Sequence, residues 1–440
     1  MNDANVKRSK SNGQKGLYRT IWRWHFYAGI FCIPLVITLA VSGAIYLFKP
    51  QIDAWVDQPY QSVLTTDQRA TANQQINAAL NAVPGAQFAS YQLPEQENQA
   101  VIIQLKDKGE RSLVYVNPYT LEVLKTIGYE DQFIRMVRTF HGELLAGNVG
   151  SVVVELAACW AIVLVISGLY LWWPRSVRGL AGVLYPRWRQ GSSVFWRDLH
   201  AVTGIWISAM VLFLLISGLP WSLVWGGAFK EIRQWNAPPV QQDWSSGRTE
   251  ERLNTVKNKS TEANLSEPLL ASAMALNFAP PVMLSASRDD ANVWTLKSRH
   301  QNRPLRSDAW LNGETGEIIR IKSFHERSVI DRAIGIGVAA HEGQLFGWFN
   351  QLLGVITTVG LVTMSISGFI LWRRRKPERV LGAPPLLADV RIGKTVTIIT
   401  LLLAAVLPLL AISMLIIVLL EWLVLRRFEP SRKWLGLQAP

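Results

Sequence analysis

Four of the six histidines stand beside long apolar runs, and their surroundings match in pairs. His25 and His200 are each followed by a glycine four residues on (Gly29, Gly204) and by a Ser-Gly seventeen residues on (Ser42-Gly43, Ser217-Gly218). His141 and His341 are each followed by a Ser-Gly twenty-six residues on (Ser167-Gly168, Ser367-Gly368), and a Leu-Trp starts three residues after that glycine, at Leu171 and Leu371. Two kinds of helix, each used twice, indicate an internal duplication. Imidazole pairs suit b-type haem, whose iron takes two axial ligands, and facing helices of a bundle are a recurring way to supply them. Duplication sets His25 against His200 and His141 against His341 about a pseudo-twofold axis, so each pair can bracket one porphyrin. Gly29 and Gly204 share a helix face with their histidines, where a missing Cβ lets a flat macrocycle approach. The expectation is two haem b groups, with His25, His200, His141 and His341 as iron ligands and Gly29 and Gly204 as positions of close approach.

Plainer readings stand beside this one. A lone histidine at a helix start is most often interfacial; four in two matched pairs favour ligation. Zinc also takes imidazole, but two histidines underfill its usual four-coordinate site. Glu143 and Glu342 stand at different offsets from His141 and His341, so no carboxylate recurs to complete a zinc site. His300 lies in a basic loop and reads as exposed, and His325 has no repeat partner. Glu155 sits inside an apolar run, where an ionisable group suggests a proton or hydrogen-bond role; its repeat counterpart is Val355. The Ser-Gly pairs read as small-residue helix contacts. Met136, Met210 and Met364 lack matched positions and read as packing. Cys32 and Cys159 lie in apolar runs and behave as small hydrophobes; no C-x-x-C zinc, redox or c-type haem motif occurs.

The elements that must carry these residues belong to a membrane. The 440 residues are 49% hydrophobic, with 19 Trp. Stretches at 24–48, 146–173, 197–225, 345–373 and 394–425 are long and apolar enough to span. The net charge of +13 is concentrated at helix ends: the stretches 1–23, 174–198 and 373–394 hold eighteen Lys and Arg against Asp3, Asp198, Glu378 and Asp389. That distribution excludes a nucleic-acid patch. It places the N-terminus (1–23) and the loops 174–196 and 374–393 in the cytoplasm by the positive-inside rule, and the nearly balanced loops 49–145 and 226–344 outside. The first run is too long for a signal h-region and lacks a small-x-small cleavage site, so it reads as an uncleaved anchor.

The outer loops read as small α+β domains. A helix at 74–83 precedes strands at 87–92, 100–105, 112–116 and 122–125; a helix at 268–277 precedes strands at 294–297 and 309–311. The turns Asn117–Glu122 and Asn312–Glu317 share Asn, Thr and Glu at equal spacing, so the loops were duplicated with the helices. The repeat spans roughly 15–175 and 190–375. The fifth stretch is long for one helix and short for two. One tilted helix, kinked at Pro408, is expected, with 426–440 as a tail; a re-entrant hairpin would instead return Arg426, Arg427, Arg432 and Lys433 to the cytoplasmic side.

Nearly the whole chain resembles the PepSY-associated transmembrane proteins of bacterial inner membranes. The resemblance rests on Trp22–His25, Trp196–His200, the helix starts at His141 and His341, the four Ser-Gly pairs and the N-x-x-T-x-E turns. It implies an α-helical polytopic membrane protein: duplicated two-helix units form a four-helix haem-binding bundle, with one further C-terminal helix and two PepSY-like periplasmic domains. It further implies a haem-dependent reductase that takes iron from ferric siderophores. Partners would then be a ferric siderophore or other ferric chelate, a separate electron donor (quinol or a cytoplasmic reductase) and the lipid bilayer. No Gly-rich dinucleotide or flavin motif supplies a donor within the chain. Arg135, Arg138, Arg327 and Arg332, which precede the outer histidines in both halves, read either as solvated surface or as partners for haem propionates or an anionic ferric chelate. Two other classes fit the same outline: a non-redox transporter or permease subunit for iron complexes, and a sensor or assembly factor whose outer domains bind a peptide or protein.

Overall fold

Helix and strand sort into two units. The first comprises Met1–Ala44, Phe140–Ala237 and Leu353–Pro440, the second Ile45–Thr139 and Pro238–Leu352. The computed structural model describes residues 3–66, 68–174, 179–234, 264–287, 290, 292–385 and 393–438, with side chains from residue 16 onward. Arg175, Arg178, Asp389 and Arg391 of the basic loops lie outside the described residues. In chain order the elements are α1 (Asp3–Leu47), α2 (Lys49–Val56), α3 (Ala72–Ala82), β1 (Gln87–Gln92), β2 (Val101–Asp107), β3 (Glu110–Val116), β4 (Val123–Gly128), α4 (Phe133–Glu143), α5 (Gly147–Trp172), α6 (Ser192–Gly218) and α7 (Val224–Gln234). They continue with α8 (Glu267–Ala275), β5 (Val282–Ala286), β6 (Val293–Ser298), β7 (Ser307–Asn312), β8 (Ile318–Ser323), α9 (Val329–His341), α10 (Trp348–Arg375), α11 (Lys394–Val406), α12 (Pro408–Leu420) and α13 (Glu429–Leu435).

Among the described residues, five helical stretches are long and apolar enough to cross a bilayer: Gly16–Leu47, Gly147–Trp172, Ser192–Trp221, Trp348–Arg375 and Pro408–Leu425. The chain is thus a polytopic helical membrane protein. The histidines do not start these helices, as the apolar runs alone suggested. His25 and His200 lie more than two turns inside α1 and α6, because the polar residues before them are helical too. His141 and His341 belong to α4 and α9, the short helices that precede α5 and α10. Leu144 and Leu145, both at positive φ, turn the chain between α4 and α5, and Gly343 and Gly347 do so between α9 and α10.

The fifth stretch is a hairpin, not one tilted helix. Leu407 is non-helical and Pro408 opens α12, since proline has no N–H to continue the α11 ladder. Leu407 and Leu410 pack with Leu219 and Cys159, and the Trp225 indole donates to the Val406 carbonyl at 3.0 Å. This junction therefore lies at the end of α6 away from His200. The chain then returns. Arg23, two residues from His25, donates to the carbonyls of both Pro384 (2.8 Å) and Gly436 (2.8 Å). The segment between those two carbonyls leaves the His25 end and comes back to it, so α13 and its basic residues share that end.

The second unit is built on one eight-stranded antiparallel sheet of order β4-β3-β2-β1-β5-β6-β7-β8. Two separate small sheets were expected; β1 and β5 join them, with Tyr91 opposite Leu284 and Gln92 opposite Met283. β5 and β8 are additions to the strands read from sequence. Helices α3 and α8 bury Ile76, Ala79, Leu269 and Ala273 against strand residues that include Ile103, Leu105, Leu296 and Leu311. The duplicated turns match bond for bond. Asn117 Oδ1 accepts from the Tyr119 and Thr120 N–H groups, and Asn312 Oδ1 from those of Glu314 and Thr315.

A cysteine introduced at Glu378 and one introduced at Gln438, both exposed, should react with a membrane-impermeant maleimide from the same side of the membrane in oriented vesicles. A single crossing by the fifth stretch would put them on opposite sides.

Candidate functional site

Within the first unit the His25 and His200 rings face each other with centroids 6.5 Å apart and planes at 87°. Two metal–nitrogen bonds of about 2 Å each, plus the half-width of each ring, span a gap of this size. The pair therefore has the spacing of two axial imidazoles on one metal. No group of three or more His, Cys, Asp or Glu occurs among the described residues, so a four-coordinate zinc site has no ligand set here, whereas a haem iron needs only these two.

The neighbouring helices fix which nitrogen can ligate. His200 Nδ1 lies 2.9 Å from the Met364 carbonyl, an acceptor, so Nδ1 carries the proton. Ser167 Oγ donates to the Val163 carbonyl at 2.7 Å; its proton is thus committed, and it accepts from His25 Nδ1 at 2.9 Å. Ser42 behaves alike: it donates to the Thr38 carbonyl at 2.8 Å and accepts from His141 Nδ1 at 3.0 Å. All three rings are held as Nδ1–H tautomers, with Nε2 as the basic nitrogen. A carbonyl or hydroxyl partner that fixes tautomer and orientation is the usual outer shell of a metal-ligating histidine.

The glycine after each serine makes room for the ring. A Cβ at Gly168 would sit 3.3 Å from His25 Cε1, at Gly368 3.3 Å from His200 Cε1, and at Gly43 3.2 Å from His141 Cε1. These three Ser-Gly pairs, at 42, 167 and 367, are therefore seats for a histidine of the partner helix, a role the sequence reading assigned to generic helix packing. In the first half the seating is reciprocal: α5 seats His25 of α1, and α1 seats His141. Since Ser42 follows His25 by seventeen residues at 1.5 Å rise, the two histidine levels lie about 26 Å apart along α1, close to the thickness of a hydrocarbon core.

Around His25 and His200 lies a cavity of about 3130 Å³, lined also by Gly29, Gly204, Gly168, Gly368, Met364, Trp172 and Trp372. This is several times the volume of an ordinary small-molecule pocket. At Gly29 the first atom a Cβ would meet is Leu164 Cδ2 at 3.9 Å, which leaves the helix face open. At Gly204 it would meet the flexible tip of Met364 at 3.2 Å, so Met364, read as packing, belongs to the site. Arg19, Arg187, Arg197, Arg374 and Arg375 line the same cavity. Buried Asp198 holds two of them, Arg187 through Nε at 2.7 Å and Arg197 at 2.9 Å. The repeated tryptophans close the following loops: Trp172 donates to the Val183 carbonyl at 3.0 Å and Trp372 to that of Leu381 at 2.8 Å.

The remaining candidates have local roles. Glu155 accepts from the Val224 and Trp225 N–H groups at 2.8 and 2.9 Å, capping the start of α7. Residues 226–234, expected in the outer domain, form α7 in the first unit. Val355, at the duplicate position, has no carboxylate to offer. His300 Nδ1 accepts from the Asn302 N–H at 3.0 Å within its loop, and His325 packs edge-on to Phe324. Cys32 and Cys159 are free and buried.

Paired helix units with histidine seats, and a duplicated α+β sheet, define a duplicated polytopic membrane protein. The chain belongs to the family described as the PepSY-associated TM region, which matches residues 22–375. That interval runs from Trp22 to the end of α10, and the α11–α12 hairpin follows it. No curated protein matches the chain.

Glu155→Ala should lower thermal stability in detergent by about 1–3 kcal/mol, as the α7 cap is lost and two buried N–H groups lose their acceptor. Val355→Ala, at the duplicate position, should cost less.

Proposed function

We propose that the protein is a di-haem b electron-transfer protein of the bacterial inner membrane, with its N-terminus in the cytoplasm, that passes electrons across the bilayer to reduce a ferric chelate in the periplasm. The observation that carries this reading is the His25–His200 pair: two imidazoles at 6.5 Å, both protonated on Nδ1 by their hydrogen bonds and set in a large cavity. His25 and His200 would ligate one haem, with Gly29 and Gly204 admitting its plane and the lining arginines meeting its propionates. Bound haem iron supplies one-electron transfer. The second pair rests on the repeat: His141 is seated on Ser42-Gly43 as His25 is on Ser167-Gly168, and His341 is its duplicate in sequence. Two levels about 26 Å apart would carry an electron most of the way through a bilayer core.

The residues of the chain then have defined tasks. Ser167, Met364 and Ser367 hold the Nδ1 protons, which orients the rings and raises their basicity as ligands. The tryptophans at 172 and 372 tie the loops beside the cavity. The substrate would be a ferric siderophore or similar chelate. One electron converts its Fe(III) to Fe(II), whose lower charge is held less strongly by anionic oxygen donors, and the chelate lets go. The donor, quinol or a cytoplasmic reductase, is a separate molecule. A non-redox permease reading is less supported. It needs a polar path, yet buried Glu155 caps a helix and buried Asp198 is ion-paired.

A dithionite-reduced minus oxidised spectrum of the purified protein should show b-type bands with two haems per chain. His25→Ala and His200→Ala should each lose about one. A folded, haem-free protein would sink the reading.

Ser167→Ala and Ser367→Ala should keep both haems but shift the midpoint potential of one, because the Nδ1 partner is altered while Nε2 still ligates. Gly168→Val, which pushes a side chain into the His25 ring, should lose that haem.

A further inference from the structure

In the first unit, two residues before each facing histidine stands a buried charge. In α6 it is Asp198, whose carboxylate is held by Arg187 and Arg197. In α1 it is Arg23, 4% exposed, and its partners are of another kind. Nη1 donates to the Pro384 carbonyl at 2.8 Å, and Nη2 to those of Leu435 at 3.2 Å and Gly436 at 2.8 Å. The guanidinium also lies 5.1 Å from the centre of the Tyr27 ring, and the Tyr27 hydroxyl donates to the Leu435 carbonyl. Among the described residues no carboxylate pairs with Arg23. Glu421, on the returning segment, is taken by Arg426 at 2.6 Å.

Carbonyl dipoles hold a guanidinium in place without cancelling its charge. The tail is shaped to supply them: Gly436, at φ +65°, ends α13 in the left-handed conformation, and the last carbonyls of that helix meet Arg23. A ligand in the cavity does not reach the charge either. Two residues along a helix is about 200° of rotation, so Arg23 and His25 leave α1 on different faces. Arg19, Arg187, Arg197, Arg374 and Arg375 line the cavity, and Arg23 does not. We propose that Arg23 sets the electron affinity of the metal held between His25 and His200, with the C-terminal tail as the part that keeps its charge out of water. This rests on the haem assigned to that pair. A fixed positive charge beside the iron favours Fe(II) over Fe(III), so Arg23 acts through the iron and touches neither it nor the rings.

The test uses the full chain in detergent, as wild type and as Arg23→Gln, the charge-retaining Arg23→Lys, and Gly436→Val. The valine is strained at a positive φ and so moves the tail carbonyls off Arg23. Haem content and both midpoint potentials are measured by spectroelectrochemical titration, at low and at high salt. Arg23→Gln should keep two haems and lower one midpoint, by about tenfold in the equilibrium or about 59 mV for a one-electron couple. Arg23→Lys should stay near wild type. Gly436→Val should lower the same midpoint by less, because water then reaches the guanidinium. The shifts should persist at high salt, since a buried charge is screened far less than an exposed one. Two haems with wild-type midpoints in Arg23→Gln would overturn the proposal, and so would a shift that salt removes. Should Arg23→Gln lose a haem, Gly436→Val decides: a lowered midpoint supports the proposal and an unchanged one overturns it. A haem-free wild type would instead remove the conduit reading, and this proposal with it.

Discussion

The hydrogen bond to histidine Nδ1 is the constraint on which the membrane unit turns. A serine whose own proton is committed to the carbonyl one turn back can only accept from a neighbour. Ser167 and Ser42 are in that state, and the Met364 carbonyl has no alternative. Each ring is thereby fixed in tautomer and in angle before any ligand arrives, which is preorganisation of the kind that ligand sites require. The glycine beside each serine sets how close the helices come. With ring contacts already at 3.2–3.3 Å from the position of a Cβ, even alanine would move the imidazole. Distance, tautomer and orientation are three consequences of one two-residue motif.

The duplication explains what is shared and what is not. Both halves keep the seats, the tryptophan clasps and the Asn-x-x-Thr turns, because each is a local bond that the fold needs twice. They part where the surroundings differ. Two residues before the facing histidine stands Arg23 in one half and Asp198 in the other. Arg23 ties down the returning tail and loop through carbonyls, while Asp198 gathers two arginines at the cavity. Glu155 caps the start of α7 in one half, while valine stands at the duplicate position, 355.

Much of this was legible in the sequence. Apolar runs, the histidine and Ser-Gly spacing and the Asn turns are encoded within short windows, and the helices and six of the eight strands follow from them. The purpose of the Ser-Gly pairs was not legible, because Ser167 meets His25 across 142 intervening positions and a small-residue pair reads as helix packing in isolation. A usable signal existed: the Ser-Gly pairs at 42, 167 and 367 each lie on the helix partnered with the histidine they seat, at a depth that antiparallel pairing would bring level. The Leu407–Pro408 reversal was obscured for a different reason. A proline in an apolar run can kink a helix or end it, and only the return of Gly436 to Arg23 separates the two. The β1–β5 pairing was hidden because β5 is short and its partner belongs to the other half.

Both units are completed across the duplication. In the membrane unit, α1 of the first half meets α6 of the second through His25 and His200; in the other, β1 meets β5 to make one sheet from two. A facing pair formed this way takes one ring from each half, so neither half alone could present it. Sheet pairing supplies what the membrane helices lack. Helix association in lipid has no hydrophobic drive and depends on packing and hydrogen bonds, whereas a sheet edge left open in water is satisfied only by another strand. Joining the halves in the aqueous unit fixes their pairing where the drive is strong. The histidine seats then need only set the fine geometry where the drive is weak.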